Sequence, residues 1–255
     1  NNSPIDIDKL IEGTNEILTA NRNSLQLFDM LHSMRQFDDL TYVHSVNVAL
    51  IASILGQWLK FSEKDIRILT ISGLLHDIGK IMIPNEILTK PGKLTVAEYN
   101  IMKQHVNFGY EKVKNQNIDI RIKEACLLHH EKCDGTGYPF GLKSDHIPAV
   151  AKIIAIADVY DAMTSARVYR GALCPFEVID TMYKDAFTKF EPEYILPFLK
   201  NVASSYINND VRLSDGRIGK VVLINENALS LPIVQCEDEF IDLSKTRGLT
   251  VSAIL

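Results

Sequence analysis

The sequence predicts a mainly α-helical protein that ends in a small β unit. Apolar residues recur at helical spacing over much of the first 206 residues, and at two places a Ser or Thr is followed three positions later by an acidic residue, as at helix starts. After about residue 207, turn signals and short apolar runs replace that spacing. The 255 residues, 46% hydrophobic and 23% charged, are typical of a globular protein of one or two domains.

The helices can be placed in order along the chain. Ser62 with Asp65 and Thr95 with Glu98 predict two helix starts, because the side-chain oxygen can accept a bond from a free backbone N–H. The predicted helices are 5–36 (weakened at Gly13), 42–59, 62 to about 77, about 96–114, about 119–130 and 150–165, then two that begin at Pro175 and Pro192.

The C-terminal segment has the pattern of a small antiparallel sheet. Asp215-Gly216 is a hairpin signal. Residues 218–224, 231–234 and 240–243 read as strands. We therefore divide the chain into a helical segment or linker (1–36), a helical domain (37–206) and a β-rich extension (207–255).

The composition argues against three classes of protein. A net charge of −5 is unlike that of a general nucleic-acid binder, which needs clustered Lys and Arg. No apolar run reaches the roughly 18 residues of a membrane helix, since 46–59 is interrupted by polar residues. The four cysteines form no C-x-x-C and predict neither a disulfide framework nor a zinc ribbon. We therefore expect a reduced, cytoplasmic protein.

Histidines and aspartates stand inside strongly apolar stretches at four places. These places are His44, His76 with Asp77, His129 with His130, and Asp158. A buried carboxylate without a partner is prohibitively costly, and Lys80 alone cannot balance two aspartates. Ion pairs, shifted pKa values, hydrogen bonds or a metal would each resolve this. Imidazoles and carboxylates without sulfur suit a divalent ion such as Fe, Mn, Zn or Ni.

Each of these residues also has a simpler interpretation. His44 alone fits a hydrogen-bonded core or surface histidine, His76-Asp77 a local hydrogen bond, and His129-His130 a polar helix end. His105, in a mixed helix, signals nothing by itself. Their combination in one helical domain, with a glycine loop directly after the histidine pair, favours a metal site.

The order of these residues resembles that of the HD metal-dependent phosphohydrolases. His44, His76-Asp77 and Asp158 match the H…HD…D pattern of that family. The strings resembling its HD-GYP subfamily are residues 76–80 (HDIGK), 129–131 (HHE), 135–139 (GTGYP), 158–165 (DVYDAMTS) and 167–170 (RVYR). Proteins of this subfamily are phosphodiesterases that hydrolyse the bacterial second messenger cyclic di-GMP, and some act on cyclic GMP-AMP. The resemblance implies an HD-type helical bundle over 37–206.

The resemblance also implies a set of metal ligands. The first ion would be bound by His44, His76, Asp77 and Asp158. Asp77 would bridge to a second ion, which would be held also by His105, His129 and His130. Members with three metals carry a Glu four residues before the first His, where this chain has Leu40. We therefore expect two divalent ions, Fe or Mn in first place and Zn or Ni as alternatives.

The remaining site residues follow from the same resemblance. A hydroxide bridging the metals would attack the phosphodiester and give linear pGpG, with further cleavage to GMP left open. Asp77 and Lys80 would be catalytic, and Lys80 would contact phosphate unless it is a solvated helix-end cation. Tyr138 would stack on guanine or close the pocket. Arg167 and Arg170 would contact substrate, or form a surface turn. Asp161 would orient a ligand histidine, or be a helix-surface acid.

Three other functions remain open from the sequence. The chain could be a receptor for cyclic di-GMP or cyclic GMP-AMP, a hydrolase of another nucleotide, or a purely structural bundle. The complete ligand set argues against the receptor and the bundle, and the Gly-Tyr-Pro loop argues against another nucleotide. The N-terminal apolar stripe fits either a linker from an upstream sensory domain or a homodimer element. Because Asn1 is not preceded by Met, we expect a fragment.

Overall fold

The structure, a computed structural model, describes residues 40–165 and 173–255. The helix predicted over 5–36 therefore lies outside the described residues. Contacts divide the chain into two compact units, with the boundary between Ala162 and Met163. The domain boundaries placed after residues 36 and 206 stay predictions.

The first unit is helical. Its helices are α1 (Leu40–Trp58), α2 (Glu63–Leu75), α3 (Asn85–Leu88), α4 (Val96–Met102), α5 (His105–Val113), α6 (Ile120–Leu128) and α7 (Ala149–Thr164), with short 3-10 helices at Ile78–Met82 and Ser144–His146. α1 packs along α2, and α6 contacts both α2 and α5. α1 and α7 are each buried over several consecutive residues, including Val48–Leu50 and Ile153–Ile154. They therefore run through the core rather than along its surface.

Helix starts agree with the predicted caps. The hydroxyl of Ser62 accepts from the N–H of Asp65, and Thr95 and Glu98 form a reciprocal capping box. Helix ends differ from the prediction in two places. The helix expected to run to about Asp77 ends at Leu75, and the one expected over 96–114 divides into α4 and α5. Both breaks lie beside predicted metal ligands.

A close backbone approach holds the 3-10 helix Ile78–Met82 against α5. A Cβ atom at Gly79 would stand 1.9 Å from the carbonyl oxygen of His105 and 2.4 Å from the N of Gly109. No side chain fits in that space, so only glycine allows the contact. Because Asp77 precedes this 3-10 helix and His105 begins α5, the contact brings two predicted ligands together.

The second unit combines two helices with a sheet. Helices α8 (Pro175–Asp185) and α9 (Pro192–Ser205) pack on each other, and each begins at the predicted proline. The antiparallel sheet has the order β4-β3-β2-β1-β5. Its strands are β1 (Asp210–Leu213), β2 (Ile218–Leu223), β3 (Ile233–Cys236), β4 (Glu239–Asp242) and β5 (Val251–Ile254). The hairpin predicted at Asp215-Gly216 joins β1 to β2, with Gly216 at φ +92°.

Candidate metal centre

Seven predicted ligands meet inside the first unit. They are His44 on α1, His76 and Asp77 after α2, His105 at the start of α5, His129 and His130 after α6, and Asp158 on α7. His76, Asp77, His105, His129 and Asp158 are buried, and His44 and His130 are partly buried. The cluster therefore draws one or two side chains from each of five helices or helix ends.

Asp77 lies between two groups of ligands, one at each carboxylate oxygen. Its Oδ2 is 3.3 Å from Nε2 of His76 and 3.5 Å from Nε2 of His44. Its Oδ1 is 3.3 Å from Nε2 of His105 and 3.8 Å from Nε2 of His129. We name the first set, completed by Asp158, the His44 group. The second set, completed by His130, is the His105 group.

Histidines of both groups also approach Asp158. Its Oδ1 lies 3.1 Å from Nε2 of His44 and 4.0 Å from Nε2 of His76. Its Oδ2 lies 3.9 Å from Nδ1 of His130. Within each group, three or more candidate ligand atoms lie within 4.8 Å of one another. These spacings are of the size that a single ion can span.

Three of the histidines are oriented by the helix ends on which they stand. Each donates from Nδ1 to a backbone carbonyl in the last turn of the preceding helix. The pairs are His76 with Gly73 at 2.7 Å, His105 with Met102 at 2.8 Å, and His129 with Ala125 at 3.0 Å. These helix ends, two of which the sequence did not predict, are therefore the features that aim these ligands.

His44 is oriented by a carboxylate instead. Its Nδ1 lies 2.7 Å from Oδ2 of Asp161, one turn after Asp158 on α7. Asn47, one turn after His44 on α1, donates from Nδ2 to Oδ1 of Asp161 at 2.9 Å. Asp161 and Asn47 are both buried. Asp161 thus contacts a predicted ligand, as one of its two interpretations required.

The resulting arrangement favours a positive charge, either a proton on His44, whose pKa is raised, or a metal ion. With a proton on Nδ1, each oriented histidine points the Nε2 lone pair at the carboxylate oxygens of Asp77 or Asp158. Nε2 of His44, Nε2 of His76 and Oδ1 of Asp77 are buried and make no acceptable hydrogen bond within the described residues. Lone pairs that face each other in a buried site repel unless a positive charge lies between them. The donor set, imidazole nitrogen and carboxylate oxygen, is one that divalent transition metals accept.

The pKa values follow the same balance of charge. Burial lowers the pKa of His44, but the carboxylates of Asp158 and Asp161 outweigh it and raise the pKa to about 9. Burial lowers the pKa of His130 to about 4 and holds that of His129 well below its usual value. Burial would raise the pKa of Asp77, but the Lys80 ammonium and the neighbouring histidines hold it well below the usual range. At neutral pH the His105 group therefore offers neutral imidazoles and an ionised carboxylate, the forms that bind metals.

The sequence model of the HD domain matches residues 12–194 of this chain. The chain belongs to the HD domain family. The resemblance drawn from the motifs is confirmed, and the cluster described above fits divalent metal binding in such a domain.

Curated relatives agree with this membership. The chain is 36% identical over 203 residues to a cyclic di-GMP phosphodiesterase of Pseudomonas aeruginosa, covering 79% of this chain and 49% of the relative. It is 32% identical over 188 residues to 3'3'-cGAMP-specific phosphodiesterase 2 of Vibrio cholerae, covering 72% of this chain and 36% of the relative. The chain thus spans half or less of the length of these two relatives.

A solved structure confirms the fold class. An HDG"Y"P protein from Bdellovibrio bacteriovorus superposes with a TM-score of 0.60 at 21% identity, covering 75% of this chain and 60% of that chain. The prediction of a mainly helical HD-type bundle with a small β unit is confirmed. In the two described ranges of this chain, no helix is long and apolar enough to cross a membrane.

Lys80 stands beside Asp77. Its ammonium group forms an ion pair with Oδ2 of Asp77, and its side chain is 24% exposed. In a 3-10 helix, residues three apart lie on one face, so Lys80 follows Asp77 on the same side. A partly exposed cation therefore lies directly beside the cluster.

The Gly-Tyr-Pro loop closes another side of the cluster. Tyr138 stacks on His130 with ring centroids 4.7 Å apart and 27° between the planes. Burial raises the pKa of the Tyr138 hydroxyl above its usual value, so it stays protonated. The carboxylate of Glu131 accepts the N–H groups of Phe140 at 2.7 Å, Gly141 at 3.1 Å and Leu142 at 2.9 Å.

Some predicted residues fall outside the described part of the HD domain. Arg167 and Arg170 lie in the undescribed segment 166–172, and the structure describes no side chain at Leu40. The structure in turn shows contacts that the sequence analysis missed, those of Asn47 and Glu131. Asn47 had a signal, because a polar side chain stands one turn after His44 in a largely apolar helix. Glu131 had one too, because it lies inside the His-His-Glu string.

Proposed function

We propose that this chain is a metal-dependent phosphodiesterase that opens cyclic di-GMP to linear pGpG. The observation that carries the proposal is the position of Asp77, with one carboxylate oxygen toward each ligand group. A carboxylate shared in this way is what a pair of neighbouring ions requires. The relatives of this chain that are named as cyclic dinucleotide phosphodiesterases support the choice of substrate.

The ligands divide between two ions. His44, His76, Asp77 and Asp158 would hold one, and Asp77, His105, His129 and His130 the other. Fe and Mn are our first expectation, with Zn and Ni as alternatives. Two such ions activate a water molecule and stabilise negative charge on phosphate. The donors within each group, three to four imidazole or carboxylate atoms, support this division.

Residues around the ions would bind the phosphodiester. Lys80, which pairs with Asp77, would donate to a non-bridging phosphate oxygen. Tyr138 would cover a guanine, with Arg167 and Arg170 as further contacts to the substrate. Asp161 would keep the imidazole of His44 aimed at the ion.

In the reaction, water adds to phosphorus and the bond from phosphorus to the 3'-oxygen breaks. The 3'-oxygen takes up a proton and the product keeps a 5'-phosphate.

Anaerobic purification followed by metal analysis and product separation tests the proposal. We expect about two metals per chain and conversion of cyclic di-GMP to pGpG. Cyclic GMP-AMP is assayed in parallel because one relative is named for it. If cyclic GMP-AMP is turned over faster, it replaces cyclic di-GMP as the proposed substrate. Tight binding without turnover would make the chain a receptor. The cytoplasmic location, a homodimer and an upstream sensory domain stay predictions.

A further inference from the structure

A lysine that the sequence analysis did not select stands beside the Gly-Tyr-Pro loop. Lys103 follows the last residue of α4 and precedes the candidate ligand His105 by two positions. Its Nζ lies 5.3 Å from the ring centroid of Tyr99 and 6.0 Å from that of Tyr138. The first contact is local to the helix, whereas the second joins two segments that are 35 residues apart.

The ammonium group of Lys103 has no carboxylate partner among the described residues. The ion pairs found for residues 40–165 and 173–255 include Lys80 with Asp77 and Lys90 with Glu98, but none with Lys103. Aromatic rings attract a cation without neutralising it. The side chain is nevertheless partly buried. A partly buried cation without an acid beside it is suited to an anionic ligand.

Tyr138 connects this lysine to the metal centre. Its ring stacks on His130 at 4.7 Å and lies edge-on to His105, with centroids 6.4 Å apart. Tyr99 is 48% exposed and offers a second aromatic ring near the ammonium group of Lys103. The cluster formed by Tyr99, Lys103 and Tyr138, which we name the distal wall, therefore begins at the candidate ligands and reaches the surface.

We propose that the distal wall binds the half of the cyclic dinucleotide that is not being cut, with Lys103 on its phosphodiester and Tyr99 beside its base. This inference rests on the proposed function. A cyclic dinucleotide carries two phosphodiester groups, and only one can occupy the metal centre during a cut. The other is an anion to which the site so far described assigns no specific residue. Aromatic rings stack on nucleic-acid bases whatever their identity.

The test compares two substrates and four variants of the metal-loaded chain. Cyclic di-GMP has a second phosphodiester, whereas bis(4-nitrophenyl) phosphate has none. Lys103→Ala removes the cation, Lys103→Arg keeps it, and Lys93→Ala removes the charge of an exposed lysine elsewhere as a matched control. The backbone N–H of Lys103 donates to the carbonyl of Tyr99 at 2.9 Å, a bond that all substitutions leave in place. Metal content is measured for each protein.

We expect Lys103→Ala to raise KM for cyclic di-GMP by about tenfold or more, the loss typical of one charged hydrogen bond. Its kcat/KM for bis(4-nitrophenyl) phosphate and its metal content should stay unchanged. Lys103→Arg should recover most of the affinity, and Lys93→Ala should match the unsubstituted chain. Tyr99→Leu should also raise KM for cyclic di-GMP alone.

Two results would overturn the inference in different ways. If the unsubstituted chain cuts cyclic di-GMP and Lys103→Ala has the same KM, the distal wall is wrong while the proposed function stands. Equal losses on both substrates would also reject it, because they would mean a disturbed metal centre. If the unsubstituted chain cuts only bis(4-nitrophenyl) phosphate and binds no cyclic dinucleotide in calorimetry, the proposed function fails and the inference fails with it.

Discussion

His44 and Asp161 are joined by a hydrogen bond of 2.7 Å between Nδ1 and Oδ2, although 117 residues separate them in the chain. The bond ties α1 to α7. Because Asn47 holds the other oxygen of Asp161 at 2.9 Å, the carboxylate cannot rotate away without losing a second bond. Nε2 of His44 therefore keeps its aim at Asp77 and Asp158.

This bond predicts the effect of Asp161→Asn. An amide lacks the charge that makes the imidazole a better ligand, and its NH2 group would face the donor of Asn47. We expect the affinity for an ion at the His44 group to fall by about 10- to 100-fold. Metal content after dialysis against a buffered metal solution measures it.

The matched control for Asp161→Asn is Asp145→Asn. Asp145 and His146 form a similar contact at 2.8 Å, but their side chains are 74% and 68% exposed. The control should leave metal content unchanged. Equal metal content in Asp161→Asn and in the unsubstituted chain would mean that Asp161 does not support metal binding through His44.

Asp77→Asn should remove both ions, whereas His44→Ala should remove one. The reason is that Asp77 faces both groups, and His44 faces one. From about two metals per chain, we expect a fall to near zero for the first variant and to about one for the second. Turnover should fall by about 1,000-fold or more for Asp77→Asn. Plasma mass spectrometry and product chromatography supply the two measurements. One ion retained in Asp77→Asn would contradict a bridging role.

Glu131→Gln should destabilise the chain and loosen the Gly-Tyr-Pro loop. The buried carboxylate accepts three backbone N–H groups, and a glutamine amide would set its own donor against one of them. We expect the free energy of unfolding to fall by about 1–3 kcal/mol, measured by urea denaturation. Glu86→Gln, at an exposed position, serves as the control. Stability equal to that control would mean that the loop does not depend on Glu131.

Asp119→Ala should lower stability through the start of α6. Oδ1 of Asp119 accepts from the backbone N–H of Arg121 at 3.0 Å. Oδ2 of Asp119 forms an ion pair with the guanidinium group of Arg121 at 2.9 Å. Losing such a cap costs about 0.5–2 kcal/mol, which thermal unfolding detects. An unchanged melting temperature would show that α6 is held by its packing alone.

The effect of Asp119 depends on pH in a defined direction. Hydrogen bonds from Arg121 lower the pKa of Asp119 from 3.8 to about 2. A carboxyl group whose pKa is lower in the folded state stabilises that state when ionised. The difference in melting temperature between Asp119→Ala and the unsubstituted chain should therefore be constant above about pH 5 and shrink as the pH falls from 4 toward 2. A difference that grows on acidification would have the wrong sign.

The sequence predicted helix starts better than helix ends. Ser62 and Thr95 carry the start signal in their own side chains, so the signal is local. The ends of α2 and α4 depend on His76 and His105, whose side chains donate hydrogen bonds to backbone carbonyls of the preceding turn. That choice is made by the cluster, which forms only in the folded chain. Strands β1 and β5 were not predicted either.

The candidate site divides in the same way. Its histidines and aspartates could be found because their residue types and order carry the chemistry. The carbonyls that orient them could not, because every residue has a carbonyl and only the fold selects Gly73, Met102 and Ala125. Lys103 was not selected from the sequence for a related reason. A lysine in a mixed helix has no distinguishing pattern, and only the fold brings Tyr138 beside it.

The shared carboxylate of Asp77 has a consequence for metal choice. In the proposed two-ion arrangement, an ion in the His44 group withdraws charge from the same carboxylate that the His105 group uses. The two affinities are then linked, and each ion alters the other's binding by the same factor. A titration with one metal would therefore not report two independent constants. Selectivity for Fe or Mn becomes a property of the pair, which a substitution in either group would retune at both.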